Sequence, residues 1–501
     1  MYRRWVPNLH ALLQAIERHN HATGDKYIVL IESHPNAKGL IATKLAVGQI
    51  HKIICSTKLP VEVIELIIEN YISDTGVVEP NPLNSASRSY LHPETSRRLL
   101  SLRLLSKSWN AAAVPFIYNA LYLNTPRKSS ILLRSWNNPS QFSTFHALRR
   151  ICFSGLLFLS NYPTGRSLNN PSTYENGNAH SAETLLAPSE IAMDSALKII
   201  NLCSQNLSDL KLKFVHSIGL SQDMLEAISN VKGLKVLGIV GSKCCHTLND
   251  SGSIRAMLNS AFALESLSIQ CSSLGSLNLN VGALPNLTHL CLVTNSDNIL
   301  DFIELCTAEG RKIWFLELIS PGACDQCHPI IMALKGSLQA VFIDPIPARI
   351  PRAVINLTFE NLRVVRCMTC DLSLSGYAWL QKPIFKNMEV LITSYWHANA
   401  YWKRLLELFQ HRPITLPPKF KQIFLINSKG QELQDHGMVE AFKTQGVKTW
   451  QMGLESVLRG MWGLGHPLGV LGYAKDSVYP VGHCLTNSYV VCSLDELGGF
   501  R

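Results

Sequence analysis

Through the second half of the chain one spacing returns: apolar-x-x-apolar-x-apolar. It opens at Leu207 (LSDLKL), Leu234 (LKVLGI), Leu264 (LESLSI), Leu287 (LTHLCL), Ile313 (IWFLEL), Leu338 (LQAVFI) and Leu362 (LRVVRC), with weaker copies at Met388 (MEVLIT), Phe420 (FKQIFL) and Val447 (VKTWQM). Successive starts lie 23 to 32 residues apart, inside the range of stacked-repeat proteins. The end of each hexamer alternates as a strand does, so its fourth and sixth residues point one way and its fifth and seventh the other. Between hexamers lie stretches of helical spacing: SEIAMDSALKIINLCSQ from Ser189, SQDMLEAISNV from Ser221, DNILDFIELCTAEG from Asp297 and ANAYWKRLLELFQHR from Ala398. Several open on Ser or Asp, good N-caps. A strand and a helix too small to bury their own apolar faces must stack, which predicts an α/β solenoid with a parallel sheet on the concave side and helices outside.

Flanking this array, the pattern changes. An early copy, LRRICF from Leu148, is followed by NYPTGRSLNNPSTYENGNAHS, whose Asn, Ser, Gly and Pro predict a loop inserted at about 160–185. The solenoid is expected over 124–458, and the Gly-rich tail 459–501 lacks the hexamer. Residues 1–57 hold one helical run from Leu9 and one strand-like run from Lys26, an extension of unknown role. Between extension and solenoid, KLPVEVIELIIENYI starts at Lys58 with Pro60 in a first helical turn and Glu62 facing the positive helix end. Glu62, Glu65 and Glu69 form its polar stripe, while Val63, Ile64, Ile67, Ile68 and Tyr71 cover most of the rest. After an insertion at about 73–95, RRLLSLRLLSKSWNAAAVPFIYNALYL from Arg97 reads as helical until Pro115, then as a strand ending at Leu121 to Leu123. A small all-α unit over 58–123 is expected.

Composition narrows the function. At 501 residues, 47% hydrophobic and 16% charged, the chain has enough apolar material for a large core. It lacks the apolar run of a secretory signal or a membrane span. The net charge of +10 is spread over single or paired basic residues such as Arg97-Arg98 and Arg149-Arg150, so neither nucleic acid nor a membrane is an expected partner. Fourteen cysteines scattered among core-like segments suit a reduced protein of the cytoplasm or nucleus. Cys324-x-x-Cys327-His328 and Cys367-x-x-Cys370 have the spacing of a metal or haem string. Cys367 holds a core-facing sixth position, however, so these and Cys244-Cys245-His246 are read as structural, with no metal or cofactor expected. The motifs of phosphate loops, nucleophile elbows and zinc proteases do not occur, and the chain is expected not to be an enzyme.

Leu59-Pro60-x-Glu62 with Ile64, Ile67 and Ile68, followed by Leu102-Arg103-Leu104-Leu105-Ser106-Lys107-x-Trp109, is similar to the F-box, and the hexamers behind it resemble irregular leucine-rich repeats over about 146–452. The most specific part is Arg103 to Trp109. In that family the helices dock on the Skp-type adaptor of a cullin-RING ubiquitin ligase. The resemblance implies that Leu59 and Pro60 insert into the adaptor, that Val63, Ile64, Ile67 and Ile68 of the first helix and Leu104, Leu105 and Trp109 of the later ones contact it, and that the repeats hold an unknown protein target. Two features depart from the pattern: the insertion at about 73–95, and the lack in most coils of the Asn or Cys that usually follows the strand.

The fifth residue of each hexamer should face the hollow, where repeat proteins bind partners. These are Lys211, Gly238, Ser268, Cys291, Glu317, Phe342, Arg366, Ile392, Phe424 and Gln451. Because aromatic residues and Arg favour interface cores, target contact is expected at Phe342, Arg366, Ile392 and Phe424, with Tyr395 and Trp396 on the adjoining loop.

Overall fold

The computed structural model describes residues 60–75, 77–78, 90–91, 93–136, 148–157, 190–215, 218–241, 249–271, 275–293, 299–319, 327–346, 350–367, 376–394, 402, 407, 416–427, 436–453 and 491–492. Twelve strands follow one another across a single parallel sheet: β1 (Ala120–Leu123), β2 (Arg150–Leu157), β3 (Asp209–Phe214), β4 (Val236–Val240), β5 (Ser266–Gln270), β6 (His289–Val293), β7 (Phe315–Ile319), β8 (Ala340–Ile343), β9 (Val364–Cys367), β10 (Val390–Ser394), β11 (Gln422–Asn427) and β12 (Lys448–Gly453). Spatial order equals sequence order, as in an α/β solenoid. Two short parallel strands join it: Ile191–Ala192 on the end of β2 and Val491–Cys492 beside β1. The sheet already begins at β1, before the boundary expected at 124.

The hexamer explains the register. Leu210, Leu237, Leu267, Leu290, Leu316, Val341, Val365, Leu391 and Ile423 pair in sequence along one row, and all are buried. A one-residue slip would turn each of them to the opposite face, at about 1.5–3 kcal/mol per side chain. Two devices outside the core lock neighbouring coils together. Asn286, Asn361 and Asn387, each placed just before a hexamer, donate their side-chain amides to the carbonyls of Phe262, Gly336 and Phe359 in the preceding coil at 2.8–3.0 Å. At the second hexamer position Lys235 meets Glu265 at 2.8 Å, and Glu389 lies between Arg363 at 3.3 Å and Lys421 at 2.9 Å.

Helices α1 (Val61–Thr75), α2 (Pro93–Leu102), α3 (Lys107–Tyr118) and α4 (Pro126–Trp136) precede or flank the first strands. In the solenoid, α5 (Met193–Cys203), α6 (Gln222–Ser229) and α7 (Ser251–Ser260) stack in series, and α8 (Ile299–Thr307), α9 (Cys327–Ala333), α10 (Arg352–Ile355) and α11 (His436–Thr444) continue the flank. Ser221 Oγ accepts from the Met224 N–H, and Asp250 accepts from those of Gly252 and Ser253, satisfying otherwise orphaned first-turn donors. Ser189 lies outside the described residues; Ile191 and Ala192 are drawn into a strand on β2, and α5 starts at Met193 with Ala192 at its N-cap and no side-chain cap. The shortest interval, from Leu264 to Leu287, leaves too little chain for a helix, and residues 275–288 form turns. Later coils use 3-10 turns at Gly376–Gln381 and Pro383–Phe385. Of the helix expected from Ala398, only residues 402 and 407 lie among those described.

The N-terminal unit is helical, with α1 and α2 both packed on α3. The single helical run expected from Arg97 to Pro115 is two helices, because Ser106 caps α3 by accepting from the Trp109 N–H. Pro115 does not end α3, which runs to Tyr118; the proline lacks only a donor, and its carbonyl still accepts from the Asn119 N–H at 3.2 Å. Val77–Val78 and Tyr90–Leu91 pair as a two-rung antiparallel ribbon within the insertion expected at 73–95.

Candidate interaction surface

Two surfaces follow from this frame: the concave sheet face and the helical unit. Along the concave face the register aligns Tyr122, Cys152, Lys211, Gly238, Ser268, Cys291, Glu317, Phe342, Arg366, Ile392 and Phe424 in one row. The next rung is Trp450, not the expected Gln451, because Phe424 pairs with Trp450. The weak hexamer at Val447 is read one residue late. Its Thr449 falls in the core row, where the hydroxyl is buried without a hydrogen-bond partner among the described residues.

The later part of this face is closed. Phe342, Arg366 and Ile392, expected to line an open hollow, are buried to 4%, 2% and 1% exposure, and Phe424 is half-buried. Tyr395 and Trp396 lie outside the described residues. Strands about 4.8 Å apart bring the bulky residues of this stretch into contact with one another. The Phe315 and Phe342 rings meet edge to face at 4.4 Å, and the Arg366 guanidinium sits 4.8 Å from the Phe342 centroid. A polar chain runs alongside, with Ser266 Oγ 2.7 Å from His289 Nδ1 and His289 Nε2 3.0 Å from Glu317 Oε1. An ionised Glu317 can only accept, which places the ring N–H on Nε2 and lets Nδ1 accept from the Ser266 hydroxyl. Serine, histidine and carboxylate in sequence are the parts of a hydrolytic relay. Here all three are buried to 1% exposure or less, which leaves Ser266 Oγ no approach for a substrate; the arrangement satisfies buried polar groups. Among the described residues Arg366 Nη1 and Nη2 meet no acceptor. Burial lowers the Arg366 pKa, opposed by the charges of Glu317 and Asp344, and burial raises the neighbouring Cys291 thiol.

The earlier part is more polar, and Tyr122, Lys211 and Lys213 there are half-buried. Arg150 pairs with Asp209 at 3.3 Å. Lys211 lays its stem over Gly238, where an added Cβ would come within 3.1 Å of Lys211 Cγ, and burial lowers its pKa. Lys213 stands half-buried over the Tyr122 ring, 5.6 Å from its centroid.

On the helical unit the candidate adaptor residues divide. Val63 is buried, and Ile64 and Ile68 are buried in the core shared with Leu99, Ala112, Ala113 and Ile117. Pro60, Ile67 and Trp109 are half-buried, while Leu104 at 72% and Leu105 at 47% exposure stand out between α2 and α3, with Leu66 of α1 at 40%. Leu59 lies outside the described residues. Arg103 anchors the turn that presents Leu104 and Leu105: its Nε donates to Asn110 Oδ1 and its Nη1 to the Tyr118 hydroxyl, each at 2.8 Å.

Of the metal-string residues, Cys327 and Cys367 are buried, whereas Cys324 and Cys370 lie outside the described residues. No group of His, Cys, Asp and Glu suited to a metal occurs among the described residues, and no described helix is long and apolar enough to cross a membrane. No protein-family model matches the chain, and no curated protein matches it. The fold is an α/β solenoid, the architecture of an interaction scaffold. Sequence reading missed the asparagine rungs, although Asn before Leu or Met recurs at Asn206, Asn286, Asn361 and Asn387.

Proposed function

We propose that this chain is a protein–protein interaction scaffold, its coils forming an extended sheet that holds a partner protein. One observation carries the reading: strands in strictly sequential parallel order over a shared core, an architecture whose long, repeat-built surface serves recognition. The test is capture by the tagged full chain from a lysate, with partners identified and then rebound as purified proteins. Purified partners that fail to rebind remove the reading.

A finer reading has its own support. In it the coils are irregular leucine-rich repeats, and the unit around α1–α3 docks on a Skp-type adaptor as an F-box does, making the chain a target receptor of a cullin-RING ligase in the cytoplasm or nucleus. Ubiquitin transfer then follows from proximity, without a catalytic residue in this chain. Its support is the anchored turn at Arg103, which exposes two adjacent leucines where large apolar side chains favour burial. Co-purification with the adaptor should survive Leu202→Asp, an exposed leucine elsewhere, and be lost in Leu104→Asp/Leu105→Asp and in Leu59→Ala/Pro60→Ala. Absence of the adaptor from wild-type preparations sinks this docking and leaves the scaffold.

A further inference from the structure

At the carboxyl ends of β1–β3 the concave face opens into a cavity of about 360 Å³, lined by Tyr122, Asn124, Ser154, Gly155, Lys213, Phe214 and Val215. Its shape comes from a bulge in β2: pairing with β3 jumps from Ser154 to Leu156, and Gly155 takes φ +100°, a backbone angle that favours glycine. Its chemistry is one-sided. Lys213 makes a ring contact with Tyr122 and, among the described residues, no ion pair. Asn124 Oδ1 already accepts from Lys128 Nζ at 2.7 Å, which leaves the amide N–H groups as its unbonded end. Ser154 is half-buried and contributes a hydroxyl. None of the lining residues is acidic, and Asp209, on the same strand as Lys213, is held by Arg150. An ammonium from Lys213, an amide from Asn124 and a hydroxyl from Ser154 line the same cavity, and all are able to donate.

We propose that this cavity receives one anionic oxygen group, a phosphate or a carboxylate, carried by a side chain of the partner protein. The protein nature of the partner rests on the scaffold reading; the anion rests on the cavity alone. An open pocket lined by one lysine, which makes no ion pair among the described residues, suits one group rather than a polyanion, since nucleic acids are held by many cations spread along the backbone. Three donors on one oxyanion also exceed what a neutral acceptor needs.

The full chain is titrated with inorganic phosphate and, separately, acetate at constant ionic strength, by calorimetry and by phosphorus NMR line width. Phosphate binding should weaken by about tenfold in Lys213→Met, which keeps the stem over Tyr122, and by less in Ser154→Ala. Lys235→Met, whose ammonium is engaged by Glu265, should bind as wild type does. Binding of phosphate alone assigns the pocket to a phosphorylated side chain; binding of both probes assigns it to an acidic one. Failure of both to bind the wild type, or binding indifferent to Lys213→Met, overturns the site. A dT decanucleotide that binds far more tightly than phosphate through Lys213 overturns the single-group reading in favour of nucleic acid. Because these titrations need no partner, they separate the two ideas: loss of the anion leaves the scaffold standing, and failed partner capture with intact phosphate binding removes the scaffold alone.

Discussion

Tyr122, Cys152 and Lys211 occupy the same register row as Glu317, Phe342 and Arg366, yet the two stretches of one ribbon do different work. Around β1–β3 the face carries lysines, a glycine bulge and a cavity. Around β5–β10 it is packed with rings and a satisfied polar chain. Register decides which way a side chain points; the volume of its neighbours decides whether water or a partner can reach it. At the early end Tyr122, Lys211 and Lys213 stay half-buried beside the cavity, while Phe315, Phe342, Arg366 and Ile392 on consecutive later strands are buried. A solenoid face is therefore not one surface, and of its most interface-like residues Phe342, Arg366 and Ile392 are buried.

The largest test of that contrast is Phe342→Ala. Its ring is wedged between Phe315 and Arg366, so its removal should cost about 3–5 kcal/mol, read from urea midpoints at unchanged slope. Tyr122→Ala, in the same row on the open side, should cost distinctly less. Equal losses would erase the distinction between the halves. Glu317→Leu comes next, at about 3 kcal/mol, because it strands the His289 N–H and removes the carboxylate that favours the buried Arg366 charge. Adding His289→Leu should recover part of the loss, since the imidazole N–H is then removed together with its acceptor and only the Ser266 hydroxyl loses a partner. A double variant as unstable as the sum of its parts would show that the contact at 3.0 Å carries no coupling.

How far this contrast can be read without coordinates depends on the residue. The core rows are legible because Leu, Ile and Val recur at fixed offsets, and strand order follows from their period. The closed face is not: Phe342 and Arg366 look like interface anchors in a linear string, and only the alignment of Phe315, Phe342 and Arg366 across three strands reveals that they cover one another. The rung at Trp450 is hidden for a related reason, since Val447 imitates the first position of a hexamer that actually begins one residue earlier. The cavity is less legible still, because Ser154, Gly155 and Lys213 are distant in sequence and meet through a bulge that no periodicity announces. On the helical unit the apolar pattern of α1 marks residues that pack but not which ones stay outside; the exposure of Leu104 and Leu105 follows from the Arg103 anchor.

Smaller effects sharpen the open half. Gly155→Ala forces a side chain into a backbone angle of φ +100°, expected to cost about 1–3 kcal/mol and to weaken phosphate binding by reshaping the bulge. Stability falling while the anion affinity holds would mean that the bulge shapes the strand and not the pocket. On the outer edge, Glu389→Gln breaks contacts to both Arg363 and Lys421. Exposed pairs contribute little, so the loss should be about 1 kcal/mol or less in dilute buffer and should shrink toward zero in molar salt. A loss indifferent to salt would assign Glu389 a packing role instead.

The smallest expected effect is the most informative. Lys213→Met removes a half-exposed ammonium whose described contact is the Tyr122 ring, an interaction of about 0.5–1 kcal/mol at an exposed site. The thioether that replaces it makes a comparable contact with an aromatic ring, so folding stability should stay within about 0.5 kcal/mol of wild type. A lysine that the fold does not need, held over a ring at the mouth of a cavity free of acidic residues, is free to serve recognition. Phosphate binding that falls while the urea midpoint stays still would separate those two roles in one variant, the opposite of the outcome expected for Phe342. Should the urea midpoint fall as well, Lys213 would belong with the packed residues of the later coils, and the early face would lose its claim to be different.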